Sequence, residues 1–260
     1  MDNKLHIFSA GVARKLVEAV IQEWNASHPD LTAELTVDGS VDLIRKCLSG
    51  ALCDLLISAD DKIIESMMLP EHARGYVVFA GNRIVAAANP RYDIHTETWK
   101  EALLAPDATF DHHNPYADPG GYRAIMSILL ADNIEPGLSE RLMNHPGHYG
   151  MGKDPNPLPE IKYCFDYYTR AASRKAPIAE LPDIMNLSRD DLAAEYAKVS
   201  FAVDENQTVT ATPICHALTI PVTATHPEAA REFAKRFLQT DFAKHGFIER
   251  RQIVGESVLD

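Results

Sequence analysis

Long apolar runs, closely spaced cysteine pairs and an excess of basic residues are all missing from this 260-residue chain. Its uninterrupted apolar stretches, such as Ile84 to Ala88, are far too short to span a bilayer, so no transmembrane helix is expected. The four cysteines, Cys47, Cys53, Cys164 and Cys215, show no Cys-x-x-Cys spacing. That excludes a zinc ribbon, a thioredoxin-like motif and a dense disulfide framework, and leaves free thiols as the expectation. Twenty-five Lys and Arg against 37 Asp and Glu give a formal charge of −12. This is the wrong sign for a broad nucleic-acid-binding face, and no nucleic-acid partner is expected. No Gly-x-Ser-x-Gly elbow, complete phosphate-loop signature, Gly-x-Gly-x-x-Gly or His-Glu-x-x-His is present, so no short catalytic motif marks an enzyme. Met1-Asp2-Asn3-Lys4 leads directly into a strand-like segment with no basic, apolar, small-residue signal ahead of it. The chain either stays in the cytoplasm or begins at a mature N-terminus.

An apolar fraction of 46% and a charged fraction of 24% are ordinary for a globular protein and exclude a disordered chain or a coiled coil. Strand-like Lys4 to Phe8 is followed by Ser9-Ala10-Gly11, then by Ala13, Leu16, Val17, Val20, Ile21 and Trp24 at helical spacing. The alternation repeats: strand 33–37, helix from Val41 to Leu48, strand 54–58, then a helix carrying Ile63, Ile64 and Met67. Strands alternating with amphipathic helices predict an α/β fold with parallel strands. Further strands are expected at 76–79, 83–88 and 212–220, and helices around Trp99 to Leu104, Tyr122 to Leu130 and Ala229 to Leu238. The proline- and glycine-rich residues 144 to 159 should be loop, followed by an aromatic stretch from Tyr163 to Tyr168.

Four segments share one design, in which a strand ends, a small or polar turn follows and a helix begins: Ser9-Ala10-Gly11-Val12, Gly39-Ser40-Val41, Ser58-Ala59-Asp60 and Asp118-Pro119-Gly120-Gly121. Helix N-termini carry unpaired N–H groups and partial positive charge, so several that converge can hold an anion without any lysine or arginine. Glycine lets a ligand approach the backbone closely. Each segment taken alone is also a plain helix cap. Ser58 and Asp60 read as a cap, and Asp118 before Pro119 as an N-cap followed by the favoured N1 proline.

In this order the segments resemble the molybdate/tungstate-binding proteins of ABC transporters, particularly the archaeal-type tungstate/molybdate group. The resemblance rests on Phe8-Ser9-Ala10-Gly11, Asp38-Gly39-Ser40, the run Cys53 to Asp60, and Asp118-Pro119-Gly120-Gly121-Tyr122-Arg123-Ala124. It continues at Phe79 to Val85, Glu180-Leu181-Pro182-Asp183, Asn186-Leu187, Pro213-Ile214 and Leu218 to Pro221. It implies a two-lobed type II periplasmic-binding-protein fold, each lobe a mixed, mostly parallel sheet flanked by helices, with the ligand cleft between the lobes. Residues 1–82 and 192–260 would form the first, discontinuous lobe and residues 83–191 the second. The implied ligand contacts are Ser9, Ala10, Gly11, Val12, Gly39, Ser40, Asp118, Gly121, Tyr122, Asp166 and Tyr167. Val12 stands where the family has its first serine. Asp118 and Asp166 would be metal ligands if the oxyanion's metal is six-coordinate, and Asp166 is one methylene shorter than the family's glutamate. Arg123 is expected to be structural.

The function so implied is capture of tungstate or molybdate for a membrane permease by a monomer with no cofactor beyond its ligand. The location would be periplasmic or extracellular, at the membrane, with a signal peptide already removed. Another small anion, such as sulfate, phosphate or an organic acid, is the first alternative. A metal-dependent enzyme using His112, His113 and Asp118 is the second. His145 and His148 are a further histidine pair in a polar loop, and Cys215 and His216 read as core packing.

Overall fold

The computed structural model of the chain describes residues 3–150 and 154–260. Residues 1 and 2, and the 151–153 portion of the expected loop, lie outside the described residues. The chain divides into two compact units: unit 1 holds residues 1–80, 215–244 and 248–260, and unit 2 holds residues 81–214 and 245–247.

Unit 1 opens with β1 (Lys4–Ala10), α1 (Arg14–Ser27), β2 (Thr32–Asp38), α2 (Ser40–Leu48), β3 (Leu55–Ser58), α3 (Asp61–Met68) and β4 (Gly75–Gly81). Strand β1 pairs in parallel with β2 on one side and with β3 on the other, as the alternation with helices requires. Strands β3 and β4 are buried along their whole length, which fits their continuous apolar runs at the sheet interior. Helix α1 turns Leu16, Val17, Val20 and Trp24 inward, one stripe of an amphipathic helix.

Unit 2 is built from β5 (Ile84–Ala88), α4 (Trp99–Leu104), β6 (Phe110–Asp111), α5 (Pro119–Leu129), α6 (Leu138–Met143), β7 (Tyr163–Tyr167), α7 (Tyr168–Ser173), β8 (Ile178–Glu180), α8 (Asp183–Asn186), α9 (Ala193–Tyr196), β9 (Ser200–Ala202) and β10 (Thr208–Thr210). Its sheet runs β6-β7-β5-β8. Strand β5 is antiparallel to both β7 and β8, and only β6 and β7 run parallel. The mostly parallel character expected of both sheets therefore belongs to the β1–β2–β3 part of unit 1, while the sheet of unit 2 is mixed. Helix α5 is buried from Pro119 to Ile128, which its apolar composition on several faces permits.

The chain then returns to unit 1 with β11 (Cys215–Thr219), α10 (Pro227–Phe237) and β12 (Gln252–Gly255), completing a six-stranded sheet of order β12-β4-β11-β3-β1-β2. Trp24 of α1 packs against Phe233 of α10 with ring centres 5.7 Å apart. This return falls at residues 214 and 215 instead of 191 and 192. The physical reason is the β9–β10 hairpin, whose Phe201 stacks over Tyr122 of α5 at 6.5 Å and so belongs to unit 2.

Candidate functional site

In unit 1 the parallel register pairs Ala10 with Asp38 and Ser9 with Ile57, so β1, β2 and β3 all end on one edge of the sheet. The helices that follow therefore start side by side, at the edge where open α/β sheets bind ligands. Two of these starts are uncapped: neither α1 nor α2 has a side-chain hydrogen bond to its first turn. The third is closed by its own acid, because Asp60 Oδ1 accepts the Lys62 N–H at 3.0 Å. Ser58, whose hydroxyl donates to the Asp60 carbonyl at 2.8 Å, completes that cap.

Ser40 is fully buried, and its Oγ accepts the Ala59 N–H at 2.9 Å, which leaves its own proton for another acceptor. The Ala59 carbonyl is held in turn by His216 Nδ1 at 2.8 Å, so that ring carries its proton on Nδ1. Ser9 is buried too, but its hydroxyl donates to the Ala10 carbonyl at 3.1 Å. A Cβ added to Gly11 would meet no atom within 4 Å, so the backbone after β1 is open to an approaching group. Val12 is half-buried in the turn that leads to α1. The Gly39 N–H is taken by Asp38 Oδ1 at 2.9 Å, and hydrogen bonding from Lys46 holds the Asp38 carboxyl below its usual range.

Unit 1 also holds a buried anion of its own. Asp54 is completely buried and accepts from the His6 N–H at 2.9 Å, the Thr225 N–H at 2.7 Å, the Thr225 hydroxyl at 2.9 Å and the His226 N–H at 2.8 Å. All four donors are uncharged, and three of them belong to Thr225 and His226, immediately before α10.

Unit 2 gathers a different set. Asp118 caps α5 by accepting the Gly120 N–H at 2.7 Å, with Pro119 at the first helical position. Its other oxygen lies 3.6 Å from Arg170 and 3.8 Å from His113 Nδ1. Asp166 is 1% exposed and accepts the Tyr167 N–H at 2.8 Å. Around it stand Arg174 at 2.8 Å, Arg170 Nε at 3.4 Å and His113 Nε2 at 3.8 Å. The two arginine contacts are ion pairs by distance only, since Asp166 Oδ2 and Arg170 Nε have no aligned hydrogen-bond partner. Burial opposes the Arg170 charge, but Asp166 and Asp118 outweigh it and raise the guanidinium pKa. Burial, reinforced by Arg170, lowers that of His113.

Asp118 and Asp166 thus share His113 and Arg170 as neighbours and stand in one cluster, among guanidinium groups. Gly121 is required by packing, since a Cβ there would lie 2.2 Å from the His113 carbonyl oxygen. Tyr122 and Tyr167 are both fully buried, and Arg123 donates to the carbonyl and hydroxyl of Thr212 at 2.9 and 3.1 Å. His113 joins Asp118, whereas the ring of His112 turns away to face His148. Among the described residues no set of three or more His, Cys, Asp or Glu side chains is arranged to hold a metal ion. All four cysteines are free, as expected. The sequence reading passed over Asp54, Arg170 and Arg174. The arginines carry no periodic signal, because Asp166 lies in strand β7 while Arg170 lies on α7 and Arg174 just beyond it.

Beside this cluster, within unit 2, lies a cavity of about 410 Å³ bordered by Asp111, His112, His113, Cys164, Asp166 and Arg174 among others. Burial pushes the Asp111 carboxyl up to about 6 and the Cys164 thiol up to about 12.

Residues 5–248 match the model of a family described as bacterial extracellular solute-binding proteins. The chain belongs to that family. It is 30% identical over 251 residues to an uncharacterized solute-binding protein of Methanococcus aeolicus, covering 82% of this chain and 72% of that one. It is 28% identical over 249 residues to the molybdate/tungstate-binding protein WtpA of Thermococcus kodakarensis, covering 82% and 70%. Among solved structures, the periplasmic molybdate-binding protein of Azotobacter vinelandii has the same fold, with a TM-score of 0.67 at 13% identity over 95% of this chain and 99% of that one. No helix among the described residues is long and apolar enough to cross a membrane.

Proposed function

We propose that this protein is the solute-binding component of an ABC importer and that its solute is an oxyanion, tungstate or molybdate. It works outside the membrane, as a monomer, hands the anion to a permease, and binds without chemical turnover. The observation that carries this reading is the contrast among the helix starts of unit 1. The turns before α1 and α2 lack side-chain caps and sit beside each other at the end of β1 and β2, while α3 is closed by Asp60. Apart from those of Ala13 and Arg14, which donate to the Ala10 and Gly11 carbonyls at 3.1 and 3.4 Å, and that of Gly39, taken by Asp38, the N–H groups of these turns and the remaining proton of the buried Ser40 hydroxyl are neutral donors suited to a dianion. Asp54 is precedent within the same unit for a buried negative charge held by neutral donors. Similarity to the molybdate/tungstate-binding WtpA supports the choice of anion.

The test is thermal unfolding with tungstate, molybdate, sulfate and phosphate in turn. A ligand at about 100 times its dissociation constant adds about 2.7 kcal/mol, which for a protein of this size raises Tm by about 5–10 °C. Such a rise with tungstate or molybdate and none with sulfate supports the reading. Its absence with both metal oxyanions refutes it.

One observation favours a second reading, an organic anion bearing a carboxylate or phosphate. Arg170 and Arg174 crowd the cluster in unit 2, and a guanidinium reads such groups through paired N–H bonds. A Tm rise with small organic acids and none with either metal oxyanion would select it.

A further inference from the structure

Two histidines outside the anion-binding groups share an unusual arrangement. His112 follows β6, and His148 lies in the segment after α6 that runs parallel to β6, bridged to Phe110. The Phe110 N–H donates to the Gly147 carbonyl and the Tyr149 N–H to the Phe110 carbonyl, both at 2.8 Å, so the segment is fixed against β6 by one parallel bridge. The His148 ring stacks on Phe110 at 5.0 Å and meets the His112 ring edge-on, with centres 5.2 Å apart.

Both rings are locked in the same tautomer. His112 Nδ1 lies 2.8 Å from the His113 carbonyl oxygen and His148 Nδ1 lies 3.1 Å from that of Met143. A carbonyl only accepts, so both protons sit on Nδ1 and both Nε2 atoms present lone pairs. Those two Nε2 atoms are buried and have no hydrogen-bond partner. His145, in the same loop, is built differently: its Nε2 meets the Ala105 carbonyl at 3.2 Å and its Nδ1 accepts the Gly147 N–H at 3.1 Å. No lone pair is left over there.

We infer that His112 and His148 form a two-imidazole binding site for a late first-row divalent cation such as zinc. A backbone carbonyl on the far nitrogen is the usual support of a metal-ligating histidine, and here both rings have one. With metal–nitrogen bonds of about 2 Å, two imidazoles on one tetrahedral ion stand with centres about 5 Å apart, close to the observed spacing. Burial keeps both rings in the neutral form that ligation needs. Asp154, whose Oδ1 accepts the Gly150 N–H at 2.8 Å, lies within electrostatic reach of both and supplies countercharge. His112 borders the cavity of unit 2, which gives the ion a route in. Water completes the coordination. The ion ties the segment after α6 to β6 and plays no part in holding the oxyanion.

The experiment titrates chelator-treated whole protein with Zn²⁺ by calorimetry and with Co²⁺ by visible absorption, in buffer free of oxyanions, so that its outcome is independent of the proposed solute. One saturable equivalent is expected, with the intense visible bands of tetrahedral Co²⁺. His112→Gln and His148→Gln each weaken it at least about tenfold, while His145→Gln leaves it unchanged. Each variant is first checked for native unfolding behaviour, and the Co²⁺ spectrum of the wild type needs no variant at all. Absence of a saturable equivalent in the wild type, or binding that both His112→Gln and His148→Gln retain, overturns the inference and leaves buried water as the partner of the two rings.

Discussion

Asp54 in unit 1 and Asp166 in unit 2 are both buried almost completely, and they are stabilised in opposite ways. Asp54 in unit 1 is surrounded by backbone N–H groups and a hydroxyl. Asp166 in unit 2 is surrounded by Arg170, Arg174 and His113, with one backbone bond. Neutral donors fixed by a helix start and a strand end need no further partner once aligned, and the same device, left unfilled, can receive a foreign anion. Guanidinium groups bring their own charge into the interior, so each depends on the carboxylate as much as the carboxylate depends on it. Unit 1 therefore offers donors without charge, and unit 2 offers charges already engaged with each other.

Removing the acid from the ionic cluster should have the largest effect. Asp166→Ala leaves Arg170 charged and poorly solvated, and the expected loss in denaturant-unfolding free energy is about 3–5 kcal/mol. Adding Arg170→Met to it should recover part of that loss. If Asp166→Ala unfolds within about 1 kcal/mol of the wild type, the cluster is not a coupled ionic unit and the contrast with Asp54 fails.

A pH profile sharpens the same contrast. Burial raises the Asp111 carboxyl to about 6 in the folded protein from an ordinary value of 3.8. Between these values the folded chain keeps a proton that the unfolded chain has released, so this group makes stability fall as pH rises from about 4 to about 6. Asp111→Asn should thus be more stable than the wild type by about 1–3 kcal/mol above pH 6, with the difference vanishing below pH 4, in metal-free urea unfolding. A constant difference at all pH values would mean that Asp111 is not desolvated.

For the anion itself, Ser40→Ala should weaken tungstate binding about tenfold by calorimetry, the value of one hydrogen bond to a charged group. Asp118→Asn, which preserves the capping oxygen, should change it less. The reverse order would move the site's main donors from unit 1 to unit 2. The smallest effect is expected at a helix start that is already closed. Asp60→Ala should cost about 1 kcal/mol of stability and leave anion affinity unchanged.

Much of this fold was readable because its signals are local. The spacing of Leu16, Val17, Val20 and Trp24 predicted α1, and the cap residues Asp60 and Asp118 predicted the starts of α3 and α5. Short elements such as β6, β8 and the β9–β10 hairpin escaped, since two or three residues carry no periodicity and exist only through their partners. Arg83 and Glu180 belong to separate stretches of the resemblance, nearly a hundred residues apart. Their contact, two guanidinium bonds of 2.8 and 2.7 Å, comes from strand β5 pairing with β8.

By itself, then, the sequence determined the alternation of strands and helices, the small-residue turns between them, the capping acids and the negative charge that rules out a broad basic surface. Each of these follows from residues within a few positions of one another, or from a sum over the chain. The tertiary structure alone decided that the starts of α1 and α2 lack side-chain caps, that His113, Asp118, Asp166 and Arg170 share one cluster, and that His112, just after β6, faces His148 of the segment bridged to Phe110. Those outcomes depend on strand register and helix placement, where a shift of one residue turns a side chain to the opposite face of its sheet.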